Sequence, residues 1–161
     1  MCSSDLADRP ARSPEGVPDS RGLNLFDADP SYGALLDLHL GADLAAHLRP
    51  HFLRLGAMAG AELDELALAA DKDPATLEGQ QVRKSPHYRR LEEVAFGEYG
   101  LAAMSHRGGV LGWKDPLPPA AKYGLTYVYV QAEFGVCCPL SMTDSLTRTI
   151  RKFADPALVA R

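Results

Sequence analysis

Residues 119–153 read PAAKYGLTYVYVQAEFGVCCPLSMTDSLTRTIRKF, and the way they fold decides the class of the domain. The piece at 125–134, LTYVYVQAEF, is rich in β-branched and aromatic side chains, which fit a strand. Its alternation is imperfect, however, and the apolar pattern extends well past the length of an ordinary strand of about 5–6 residues. We therefore read one buried helix from Pro119 to about Phe153. Pro139 marks an irregularity in it, because the ring removes a backbone donor.

With a helix there, the rest of the chain reads as all-α. In DPSYGALLDLHLG, Asp29 caps a helix and Pro30 takes its first position. Leu35, Leu36, Leu38 and Leu40 supply the apolar side, and Gly41 is the stop. A second helix starts around Asp43. Leu44, Leu48, Phe52 and Leu55 share one face, and Pro50 inside it predicts a kink or a break. The stretch AELDELALAADKDP turns Leu63, Leu66 and Ala70 inward and closes at Asp73-Pro74. TLEGQQVRK turns at Gly79, with a short extended piece. Ser85 and Pro86 repeat the start signature, and Tyr88, Leu91, Val94 and Ala95 keep helical spacing. Gly97 and Gly100 weaken that helix by about 1 kcal/mol each relative to Ala. GGVLGWKDPLPP is a connector. Asp155 and Pro156 open one more helix shortly before Arg161. A helix start with so little body returns less than its nucleation costs, so we read the chain as a fragment of a longer protein.

Bulk properties narrow the function classes. The 161 residues suit one domain, and 46% hydrophobic with 24% charged residues provide for a buried core. Residues 1–22, rich in Ser, Pro, Asp and Arg, read as a flexible arm, with the helical domain at 23–161. A formal charge of −4 gives no general attraction to nucleic acid or anionic membrane. Local basic clusters, VRKSPHYRR and TRTIRK, read as solvated helix faces. No apolar run reaches the ~20 residues of a membrane span, and the N-terminus lacks a secretory apolar core. Three cysteines make no disulfide framework, so the expected compartment is the reducing cytoplasm.

The candidate chemistry is sparse. Adjacent residues on a helix point about 100° apart, so Cys137 and Cys138 do not chelate one metal, and no Cys-x-x-Cys pair exists. They read as small buried apolar residues, with pocket lining as the alternative. His47 and His51 share a helix face but lack an HExxH pattern. His39, His87 and His106 form no constellation in sequence. Glu92 and Glu93 read as solvent-facing or paired to Arg89 and Arg90. Glu133, in an apolar neighbourhood, is a candidate buried acid. GAMAG and SHRGGVLG lack the context of a phosphate loop.

The run from Tyr123 to Pro156 resembles the N-terminal helical domain of the acyl-CoA dehydrogenase superfamily. It is most similar to the AidB-type, DNA-alkylation-response branch. The resemblance is carried by Gln131, Glu133, Gly135, Cys138, Pro139, Met142 and Thr143, and more loosely by NLFDADP and SPHYRRLEEVAFGEYGL. It covers residues 23–161. It implies a truncated all-α domain, followed in the complete protein by a middle β domain and a C-terminal helical bundle. It also implies an FAD-dependent oxidoreductase whose flavin contacts and catalytic glutamate lie outside this chain, so no catalytic residue is assigned here and the fragment alone is expected to be inactive. By position, Cys137, Leu140, Ser141 and Asp144 resemble residues lining one wall of the substrate cavity. The implied partners are an acyl-CoA-like small molecule, the protein's own middle and C-terminal domains, and identical copies in a tetramer. DNA is implied only through the C-terminal region, and no membrane is expected. The alternative readings are a non-catalytic helical interaction module and a DNA-associated flavoprotein fragment of the alkylation response.

Overall fold

The computed structural model describes residues 19–159. Of the arm expected at 1–22, all but residues 19–22 lie outside that range. The described chain is built of helices α1 (Pro30–His39), α2 (Ala42–Ala59), α3 (Glu62–Lys72), α4 (Pro86–Glu92), α5 (Pro119–Val130), α6 (Cys137–Phe153) and α7 (Pro156–Val159). Strands β1 (Thr76–Glu78) and β2 (Gln81–Arg83) form an antiparallel hairpin, with Leu77 opposite Val82. Gly79 turns it at φ +65, a conformation that glycine adopts without a Cβ penalty.

The helix starts follow local chemistry. The Asp29 carboxylate accepts from the Tyr32 N–H at 3.0 Å, and the Ser85 hydroxyl accepts from the Tyr88 N–H at 3.1 Å. Each cap satisfies one of the donors that a helix start leaves free. Asp155 does the same for α7, accepting from the Ala157 N–H at 2.8 Å.

The core gathers on α5. Ala121, Leu125, Val128 and Tyr129 are buried there, packed against Leu48, Phe52 and Leu55 of α2 and Leu36 of α1. Burial of each large apolar side chain contributes about 1.5–3 kcal/mol relative to exposure. Two hydroxyls fix the packing: Tyr32 donates to the Gly124 carbonyl at 2.8 Å, and Tyr129 donates to the Leu91 carbonyl at 3.0 Å. The α3 and α4 helices pack on each other beside this centre, through Leu63 and Leu91.

The segment before α1 is held by two glycines of α2. A Cβ on Gly56 would sit 2.6 Å from the Phe26 nitrogen, and one on Gly60 would sit 1.8 Å from the Leu23 carbonyl oxygen. The bare backbone lets the Gly22 N–H reach the Gly60 carbonyl and the Leu25 N–H reach the Gly56 carbonyl, at 2.7 and 3.0 Å. Of the expected anchors here, Phe26 is buried and Leu25 half-buried, while Leu23 is exposed.

Several expectations need correction. The helix expected from Pro119 to Phe153 is two helices, interrupted over 131–136. Pro139 causes no irregularity: it sits in the first turn of α6, where its missing N–H would have no partner anyway. Pro50 does not break α2, which runs on through it. Both Pro50 and Ala46, the residue whose carbonyl it leaves without a helical partner, are exposed, so the break in the ladder falls on the solvent side of the helix. Leu35 and Leu38 point outward, because the core side of a ten-residue helix is covered by Leu36 and Gly33. Gly41 does not stop α1. It is the N-cap of α2. The helix opened by Ser85 widens into a π-turn at Glu93–Glu98 and ends at Gly100.

Candidate functional site

The residues expected to line a cavity all lie on α6. This helix is preceded by a Glu133 side chain that accepts from the Gly135 and Val136 N–H groups. Glu133 is half-buried and acts as a local cap, not as a buried acid. Cys137 is half-buried, with its Sγ 3.9 Å from the Ser141 Oγ one turn on. Ser141 and Cys138 are exposed, while Leu140 is 3% and Asp144 is 4% exposed. Cys137 and Cys138 are free thiols. Leu140 and Asp144 thus face the body of the domain, and Ser141 faces outward.

Asp144 is the centre of a buried ionic cluster that its sequence neighbours do not announce. Its Oδ2 is 2.5 Å from the Lys122 Nζ and 3.2 Å from the Arg148 Nε, and its Oδ1 is 2.6 Å from the His106 Nε2. Lys122 is 5% exposed. Burial by itself pushes the Asp144 carboxyl up. Hydrogen bonds from Lys122, Arg148 and His106, with the Lys122 charge, outweigh it and hold the group down at about 2. The expectation that His106 belongs to no constellation is therefore corrected. The second basic cluster is likewise not wholly solvated: Arg148 binds Asp144, and the Arg151 guanidinium donates to the His106 carbonyl at 2.6 Å.

One signal for this cluster was present in the sequence. Lys122 stands in the i, i+3 and i+6 register with Leu125 and Val128, on the buried face of α5. A lone lysine there needs a counter-charge. Its partner could not be named, because His106, Lys122 and Asp144 are far apart in sequence.

The outer face of α6 has a different character. Met142, Leu146 and Phe153 are 72%, 59% and 73% exposed, and their spacing puts them on one side of the helix, roughly opposite Leu140 and Asp144. Phe134, just before the helix, is also exposed. A helix whose apolar stripe faces away from its own core presents a contact surface.

His47 and His51 form a second group. Their rings lie 5.6 Å apart, and Trp113 is 5.1 Å from His47. The His47 Nε2 lies 2.9 Å from the Leu111 carbonyl oxygen, in a turn where Leu111 takes the left-handed φ of 52. Burial, then the charges of His47 and Arg54, lower the His51 pKa. An open groove of about 410 Å³ beside that turn is lined by Gly97, Glu98, Gly100 and Arg107–Leu111. Among the described residues no group of His, Cys, Asp and Glu has the makings of a metal site. Among them, too, no strand runs into a glycine-rich helix start of the kind that cradles a pyrophosphate.

The architecture defines an all-helical domain whose last long helix turns a greasy face outward. The chain belongs to the family of the adaptive response protein AidB N-terminal domain, whose model matches residues 16–161. No curated protein and no solved structure matches it. Among the described residues no helix is long and apolar enough to cross a membrane.

Proposed function

We propose that this domain is the N-terminal part of an FAD-dependent, acyl-CoA dehydrogenase-like oxidoreductase, and that its α6 forms one wall of the substrate cavity. The observation that carries the reading is the exposed stripe of Met142, Leu146 and Phe153, on a helix that also carries Cys137 and Ser141. An apolar stripe along one side of a helix, unlike a single exposed side chain, marks a surface that further polypeptide or substrate would cover. In this reading the cover is the protein's own middle and C-terminal domains. Those domains bring the flavin contacts and the carboxylate that takes a proton from an acyl thioester. This chain contributes shape and exclusion of water, and none of its residues is assigned a catalytic step. Cys137 and Ser141 are small enough to leave room for an acyl chain where a leucine would fill it. Assembly as a tetramer in the cytoplasm, and any contact with DNA through the C-terminal region, belong to the same reading.

The test begins with the parent reading frame beyond Arg161. Its longest product is expressed and purified, and its flavin absorbance is compared with that of the 161-residue chain. The expected result is flavin in the long product, bleached by an acyl thioester, and none in the short one. A long product that neither binds flavin nor binds acyl thioesters overturns the proposal.

A further inference from the structure

We propose that Asp144 is the pin of an internal latch that holds the C-terminal part of α6 against the body, and that this part of the helix detaches when the latch is released. Little else secures α6. Val136 and Leu140 anchor its beginning, at 0% and 3% exposure. From Asp144 to Phe153, Asp144 is the one buried residue. The break at 131–136 separates the helix from α5, so no continuous backbone ladder stiffens the junction.

The latch draws on three parts of the fold. Lys122 comes from α5, His106 from the turn after Gly100, and Arg148 from α6 itself. These are the charged and titratable groups against Asp144, and Arg151 adds its bond to the His106 carbonyl. The contacts are unequal. Asp144 uses both carboxylate oxygens and serves every other member. Without its charge, the nearly enclosed Lys122 ammonium has no counter-ion, and such a group is costly to keep dry. Water reaches it most readily if α6 lifts about Val136 and Leu140. Removal of Lys122 or His106 still leaves Asp144 one partner on the body, besides Arg148 of its own helix, so the helix stays down more firmly than it does without Asp144.

Amide hydrogen exchange on the full 161-residue chain, read segment by segment, provides the test. Asp144→Asn should speed exchange of the amides at 145–153 by about tenfold or more, while those of α2 and α5 keep their protection. Lys122→Met and His106→Gln should give smaller rises, confined to the same segment. If Asp144→Asn does not fold, Lys122→Met carries the test, since it leaves no buried cation unpaired. Equal acceleration over α2, α5 and α6 would mean that the cluster only adds to global stability, and the latch is then wrong. Unchanged exchange at 145–153, or a larger effect from Lys122→Met than from a folded Asp144→Asn, overturns it too.

Discussion

The Lys122 ammonium and the Asp144 carboxylate lie 2.5 Å apart, with each side chain 6% exposed, and they join α5 to α6 inside the domain. A charge pair so enclosed is strongly destabilising to break from one side. It also makes stability depend on pH. The folded pKa of Asp144 is about 2, below the ~3.9 of an unfolded aspartate. Its contribution is therefore complete above the unfolded value and fades as pH falls through the folded one. The gap of about 2 units corresponds to roughly 2–3 kcal/mol. Urea unfolding at about pH 5 and about pH 2.5 should show roughly two thirds of this loss in the parent chain, because the lower pH still lies above the folded value. The Asp144→Asn variant, less stable at the higher pH, should lose less on acidification. Parallel losses in the two proteins would contradict the assignment.

Gly60 supports a second prediction. Its φ of −78 suits any residue, so the objection to a side chain there is steric. A Cβ would fall 1.8 Å from the Leu23 carbonyl oxygen, a backbone atom that cannot rotate away. Gly60→Ala should destabilise the domain by about 1–3 kcal/mol, in the range of overpacked sites. Gly97→Ala is the control. Its nearest foreign atom is a flexible Glu93 carbon at 3.9 Å, and removal of a glycine from a helical turn should be neutral or stabilise by up to about 1 kcal/mol. Urea midpoints at constant slope decide both.

Ser85→Ala should cost about 1 kcal/mol, within a range of about 0.5–2. The hydroxyl is buried and accepts from the Tyr88 N–H, which would otherwise have no partner in the first turn of α4. Ser85→Thr keeps the acceptor and should recover most of the loss. If alanine is tolerated without change in the unfolding midpoint, the cap is not what starts the helix.

The caps were legible because they are local: Asp29-Pro30, Ser85-Pro86 and Asp155-Pro156 each carry donor, acceptor and fixed φ within a few residues. So was the core face of α2, where Leu48, Phe52 and Leu55 repeat at helical spacing. The all-helical class followed from reading 125–130 as helix despite its β-branched side chains, and burial against α2 explains why tertiary packing overrides that propensity. The break at 131–136 escaped the sequence reading because apolar Ala132, Phe134 and Val136 continue the pattern across it. What stops the helix is Gly135 together with the Glu133 carboxylate, which takes the backbone donors at 135 and 136. The ionic cluster escaped for a different reason. Its members come from three segments, and only the Asp144–Arg148 spacing of four is visible along the chain. The positions of Cys137, Leu140, Ser141 and Asp144 on one helix were legible, while the division between inward Leu140 and Asp144 and outward Ser141 needed the packing.

The outward stripe of α6 gives the last prediction. Met142, Leu146 and Phe153 bury little against their own domain, so polar replacements there should barely affect folding. The triple variant Met142→Gln, Leu146→Gln, Phe153→Gln should unfold within about 1 kcal/mol of the parent, since glutamine is also a good helix former. Its behaviour in solution should change much more. Exposed apolar patches drive self-association, so light scattering of the concentrated parent chain should exceed that of the variant. If the stripe also receives other domains of a longer protein, the same substitutions placed in that protein should weaken the contact between them, measured as faster limited proteolysis around α6. A large fall in the stability of the isolated chain would place these side chains in its own core instead. Equal light scattering in the two proteins would remove the reason to treat this face as a contact surface.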